Sequence, residues 1–165
     1  MKANIPVVRY TSWPMVIPQL ITMALFTGIS VLLLWNPLQL LSVSLGLFAY
    51  LLFAFALRHF LTYDHRQGMV LVKREDYQRA ITMFEKSFRF FSDHAWIDRY
   101  RAWTIQSPSG YTFREIALTN IGFCHLQLGD IAQAKAVYTR VLDEYPGNAL
   151  ARSTLNVIET VEKSA

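Results

Sequence analysis

Two uncharged stretches, residues 15–35 and 38–57, constrain this chain more than any other feature. Each is about 20 residues long, which at 1.5 Å per residue is the length a helix needs to cross about 30 Å of hydrocarbon. From Met1 to Phe60 the only formal charges are Lys2, Arg9 and Arg58, and all 12 acidic residues come later. A helix in the core of a soluble domain normally keeps one polar stripe, and neither stretch has one. The first is too long for the apolar core of a secretion signal, a second follows at once, and no small-residue cleavage site stands after it. Between them, Asn36-Pro37 is a turn signal. The expectation is an N-terminal segment and transmembrane hairpin over 1–61, with two antiparallel spans.

The ends of the spans suggest an orientation. Lys2 and Arg9 precede the first span, and Arg58, Arg66, Lys73 and Arg74 follow the second, whereas the connecting loop is uncharged. Basic flanks stay on the cytoplasmic side. Both termini are therefore expected in the cytoplasm of an integral membrane protein, in a bacterial inner or plasma membrane, with Arg58, Arg66, Lys73 and Arg74 placed to meet lipid headgroups. Trp13 and Trp35 lie near opposite ends of span one, where indole rings favour the interface. Ala24 with Gly28, and Ser42 with Gly46, are small pairs one turn apart that permit close helix approach. They mark either the hairpin's own seam or a seam with another membrane subunit. Neither span contains Asp, Glu, Lys, Arg or His, which argues against a pump or transporter path.

After Tyr63 the pattern becomes amphipathic, with apolar residues at three- and four-residue intervals. One stretch is more detailed: Leu118, Ile121, Gly122 and His125, then Gly129-Asp130-Ile131, then Ala134, Tyr138 and Pro146. It resembles a tetratricopeptide repeat, in which small residues let two antiparallel helices cross closely and an aromatic fills the gap to the next helix. Leu118 and His125 stand where the family usually has Trp and Tyr. A weaker copy lies 54 residues upstream at Gln67, Gly68, Leu71, Tyr77, Ala80 and Phe84, with Glu75 in place of the turn glycine. The resemblance implies a membrane-anchored, bacterial-type member of the family. Its all-α helical domain would span 62–165: repeat one at 62–91, an insertion at 92–113, repeat two at 115–148 and a C-terminal capping helix at 149–162.

The same resemblance implies protein–protein recognition in a groove, with His65, Arg66, Met69, Thr119, Asn120 and Phe123 as groove-side candidates. In the insertion, Trp96, Tyr100 and Trp103 either pack internally or form an exposed aromatic anchor for a partner. Catalytic chemistry finds little support. Cys124, the only cysteine, excludes an internal disulfide, and His125 beside it points about 100° away on a helix. His59 and His65 are not at a helical metal-ligand spacing. No phosphate loop or dinucleotide glycine motif occurs, and acidic residues break up any basic stripe that nucleic acid would need. No enzyme activity, cofactor or metal is expected. The expected partners are other protein subunits, membrane proteins among them, the lipid bilayer, and as an alternative a second copy of the chain. The expected role is a scaffold, as subunit or assembly factor of a membrane complex. The alternative is an accessory or regulatory subunit of a transporter or membrane-bound enzyme.

Overall fold

The computed structural model describes residues 12–34 and 39–164. The expected turn at Asn36-Pro37, Trp35 beside it and the basic flank of Lys2 and Arg9 lie outside them. The described residues form helices with no strand: α1 Ile17–Leu33, α2 Gln39–Leu61, α3 Tyr63–Lys73, α4 Tyr77–Asp93, α5 Ala95–Arg99, α6 Arg101–Thr104, α7 Phe113–Gln127, α8 Ile131–Glu144 and α9 Ala149–Ser164, after a short 3-10 turn at Trp13–Met15. Two compact units emerge. One holds α1, α2 and residues 96–110; the other holds 64–95 and 111–165. The insertion expected within the helical-repeat region thus groups, over 96–110, with the two N-terminal helices. Its side chains explain why, as described below.

In the first unit, α1 and α2 pack along each other. Both are long and apolar enough to cross a membrane by length and composition. Their closest approach is at Gly46: a Cβ there would sit 2.7 Å from the Thr27 Cα and 3.0 Å from the Phe26 carbonyl oxygen. Backbone cannot yield as a flexible side chain can, so only glycine fits. One turn earlier, Ser42 is buried and donates to the Leu34 carbonyl at 2.9 Å, while Ser30 donates to the Ser42 carbonyl at 2.6 Å. These two bonds tie the helices to each other where their surfaces are otherwise apolar. Phe26 also packs its ring against Phe53, 5.2 Å between centroids. Ala24 and Gly28 lie outside this seam, on the exposed side of α1, and a Cβ on Gly28 would meet nothing within 4 Å. The α1 surface that meets Ser42 and Gly46 is Phe26, Thr27 and Ser30, two residues away around the helix.

In the second unit, neighbours stack in chain order: α4 on α7, α7 on α8, α8 on α9. Two small-against-large contacts recur 54 residues apart. A Cβ on Gly68 would lie 2.7 Å from Phe84 Cε1, and one on Gly122 would lie 2.9 Å from Tyr138 Cζ. Phe84 and Tyr138 are fully buried, as are Ala80 and Ala134 at the crossings. The turns match as well. Asp76 accepts from the Arg79 N–H at 3.3 Å and Asp130 from the Gln133 N–H at 3.1 Å, each as an N-cap. The preceding helices end alike, with the Asp76 N–H on the Leu71 carbonyl and the Asp130 N–H on the His125 carbonyl. That 6→1 bond is the Schellman closure, which demands a left-handed residue just before the aspartate. Gly129 supplies it at φ 76°, and Glu75 is forced into it at φ 61°. A left-handed conformation costs a residue with a Cβ about 1–2 kcal/mol. Glu75→Gly is therefore expected to raise stability by about 1 kcal/mol once glycine's extra unfolded-state entropy is set against the relief. An unchanged or lower thermal midpoint would show that the Glu75 backbone carries no strain.

The last helix closes the stack. Ala151, Leu155 and Ile158 face inward and are buried, and Leu150 is half-buried. Asn148 uses both ends of its amide: Oδ1 accepts from the Ala151 N–H at 2.8 Å, capping α9, and Nδ2 donates to Glu115 Oε1 at 3.0 Å and Thr119 Oγ1 at 3.3 Å on α7. One side chain therefore starts the helix and fixes its position on the repeat.

Candidate protein-interaction surface

The six groove candidates divide on folding. Arg66 is exposed, and Met69 and Asn120 are half-buried with Asn120 Nδ2 3.6 Å from Met69 Sδ. His65, Thr119 and Phe123, also expected on the groove side, are buried. His65 sits edge-on to Phe84 and Phe113, 5.4 Å from each ring centroid. Thr119 turns its hydroxyl back onto the Glu115 carbonyl at 2.8 Å. Phe123 packs edge-on against Tyr77. Each of the three packs or bonds within the helical stack.

An open cleft of about 480 Å³ lies instead where α4, α7 and α8 meet. Leu118, Ile121, Phe88 and Val137 form its apolar floor, and Glu85, Arg89, Gln133 and Arg140 stand at its rim. Arg140 lies 4.8 Å from the centre of the Phe88 ring and also donates to Glu144 at 2.7 Å. An apolar floor with rim groups of both signs suits an amphipathic protein segment better than a small polar substrate. The sequence reading missed this cleft because its walls come from three helices, and its rim residues look like ordinary solvated positions on each.

The chemistry of the nearby thiol is unpromising for catalysis. Cys124 is fully buried, and burial pushes its thiol up to about 12, so it stays protonated at neutral pH. His125 is half-buried, and its Nδ1 lies 3.6 Å from the Asp130 carboxylate, beyond a good hydrogen bond.

A family model for the tetratricopeptide repeat matches residues 117–148. The chain carries a tetratricopeptide repeat. The matched segment runs from within α7 through α8 to Asn148, so it contains the Gly122–Tyr138 contact, the Gly129-Asp130 turn and the residue that caps α9. No curated protein and no solved structure matches the chain. The repeat points to a role in protein–protein interaction.

The remaining candidates belong to the first unit. Trp96, Tyr100 and Trp103 are 60%, 56% and 46% exposed. Arg58, expected at a lipid headgroup, has its guanidinium on protein carbonyls. It donates to the Gln106 carbonyl and, through Nε at 3.4 Å, to the Ile105 carbonyl. Lys73 and Arg74 are exposed at the end of α3. Gln106, which the sequence reading did not single out, is the centre of this arrangement. It is fully buried, sits at φ 55° and contacts Thr22, Tyr50 and Trp103. A lone glutamine in a loop carries no signal that would have found it.

Proposed function

We propose that this protein is a membrane-anchored tetratricopeptide-repeat adaptor. The hairpin of α1 and α2 holds it in the bilayer, and the repeat helices recruit a partner protein at the cytoplasmic face, as a subunit or assembly factor of a membrane complex. Repeat one, α3 and α4, completes the repeat array with α7 and α8, and α9 caps it. The amphipathic cleft between α4, α7 and α8 is the partner contact.

The observation that carries this reading is the exposure of the hairpin. No residue of α1 is buried, and Leu33 and Leu40 are 78% and 83% exposed. Residues such as Leu25, Ile29, Phe48, Leu51 and Phe55 stand out from both helices as well. A helix in the core of a soluble protein would cover such side chains. In water this surface would far exceed the few hundred Å² of contiguous apolar patch that a soluble monomer exposes. Hydrocarbon is the solvent that makes the exposure favourable. The Lys and Arg after span two, against an uncharged connection, support the cytoplasmic placement.

An alkaline carbonate wash of membranes containing the full chain tests the anchor. The protein is expected to stay in the pellet and to need detergent for release. Recovery of a folded, monodisperse protein from the wash without detergent would refute the membrane reading.

A further inference from the structure

The short helices α5 and α6 form an almost continuous helical stretch, with Tyr100 between them linked by its N–H to the Trp96 carbonyl. Trp96, Tyr100 and Trp103 stand at i, i+4 and i+7, which is one face. Ile97, Asp98, Arg101 and Ala102 occupy the other face and are buried. Arg99, three residues after Trp96 and four before Trp103, is exposed beside the aromatics.

This stretch is fastened to one end of the hairpin, the end where α1 begins and α2 finishes. Helix α6 packs on α1. Gln106 Nε2 donates to Thr22 Oγ1 at 3.4 Å and to the Trp103 carbonyl at 2.8 Å, and Gln106 Oε1 accepts from the Tyr50 hydroxyl at 3.4 Å. Arg58 holds the adjoining carbonyls of Ile105 and Gln106, and the Ser12 N–H donates to the Pro108 carbonyl at 2.9 Å. Arg101 secures the loop from within, donating to the carbonyls of Ser109 at 2.9 Å and Gly110 at 3.1 Å. The level can be counted along the helices. Thr22 lies five residues into α1, about 8 Å at 1.5 Å per residue, and Tyr50 lies eight residues, about 12 Å, before Arg58. Gln106 is held between the apolar body of the hairpin and its first charged residue. Trp13, 81% exposed, stands at the same end, next to Ser12.

We propose that the α5–α6 stretch lies in the headgroup layer of the bilayer, with Trp96, Tyr100 and Trp103 facing lipid and completing with Trp13 an aromatic belt around the cytoplasmic end of the hairpin. This rests on the membrane reading and adds a third contact to it. The ligand is the lipid interface, where an indole or phenol buries its ring and keeps its polar atom wet. An amphipathic helix there sinks about 5–10 Å into the headgroup–acyl boundary, which matches the level of Gln106. Arg99 adds attraction for anionic lipid. The buried Gln106 amide and the Arg58 guanidinium are the pegs that hold the belt at that depth.

Tryptophan emission in nanodiscs of zwitterionic and anionic phospholipid tests this. In the full chain carrying Trp13→Phe and Trp35→Phe, only Trp96 and Trp103 emit. Their emission is expected to be blue-shifted, poorly quenched by aqueous acrylamide, and quenched more by lipids with a nitroxide near the headgroup than by lipids labelled at the acyl-chain end. The companion variant, Trp96→Phe with Trp103→Phe, reports on Trp13 and Trp35. If the companion is quenched by labelled lipid but the first variant is quenched only by acrylamide, the hairpin is inserted and the aromatic face points to water. The belt is then overturned, and a protein partner becomes the occupant of that face. If neither variant responds to labelled lipid, the belt and the membrane reading fall together.

Discussion

Phe84→Ala and Tyr138→Ala are each expected to lower stability by about 3–5 kcal/mol, the cost of emptying a fully buried aromatic site. The reason lies in what surrounds the two rings. Gly68 and Gly122 were kept free of a Cβ so that each ring could press on the backbone of the paired helix, at separations a methyl group would violate. Helices held that close cannot collapse further to fill the void. The loss approaches the whole stability of a small helical unit, about 5–15 kcal/mol for an average domain. Thermal unfolding followed by circular dichroism, in the same lipid or detergent for all variants, gives the comparison. Similar losses at the two positions would establish α3–α4 as energetically equivalent to the matched repeat. A loss at Tyr138 with less than about 1 kcal/mol at Phe84 would mean that the upstream copy is a likeness of shape alone.

Stability should also fall as pH drops from 6.5 towards 4, because of His65. Burial against Phe84 and Phe113 lowers its pKa from 6.5 to about 4, and its Nδ1 meets no hydrogen-bond partner among the described residues. Desolvation penalises the charged ring, so the folded protein keeps it neutral while the unfolded chain protonates it near 6.5. Between these two values the unfolded state binds the extra proton, and stability rises with pH. The contribution is complete above about pH 7 and fully lost below about pH 4, and a difference of this size corresponds to about 3 kcal/mol. His65→Phe keeps a ring in the site without a titrating group. Its unfolding midpoint should lose this acid sensitivity. If wild type and variant lose stability in parallel between pH 7 and pH 4.5, the burial of His65 is not what makes the protein acid-sensitive.

Parts of this architecture were legible in the sequence because they depend on local spacing. Gly122, Gly129-Asp130, Ala134 and Tyr138 sit on two consecutive helices, and a small–turn–small–large order admits few packings. The copy at Gly68, Ala80 and Phe84 was visible at constant offset, although Glu75 obscured its turn. The structure resolves that departure: the same Schellman closure forms, with a glutamate in the left-handed position. The groove side was harder to read. His65 and Phe123 lie on helix faces that the stacking of α3, α4 and α7 covers, and Thr119 on one that Asn148 meets at the start of α9, so which face stays open is decided only when the third helix is laid down. The place of the insertion was not legible for a similar reason. Its attachment runs through Arg58 and Gln106, 48 residues apart, and through backbone carbonyls that leave no mark on residue type.

The sequence alone determined where the uncharged and the amphipathic stretches lie and the period of the helices, because charge distribution and apolar spacing are written residue by residue. It also determined the repeat, whose contacts span little more than one helix pair. Only the tertiary structure decided that the hairpin seam runs through Ser42 and Gly46 against Phe26, Thr27 and Ser30, that the open cleft lies between α4, α7 and α8, and that Trp96, Tyr100 and Trp103 face outward beside the hairpin. Each of these depends on the rotation of one helix about its axis relative to a distant one. Close packing sets that angle, and no local pattern encodes it.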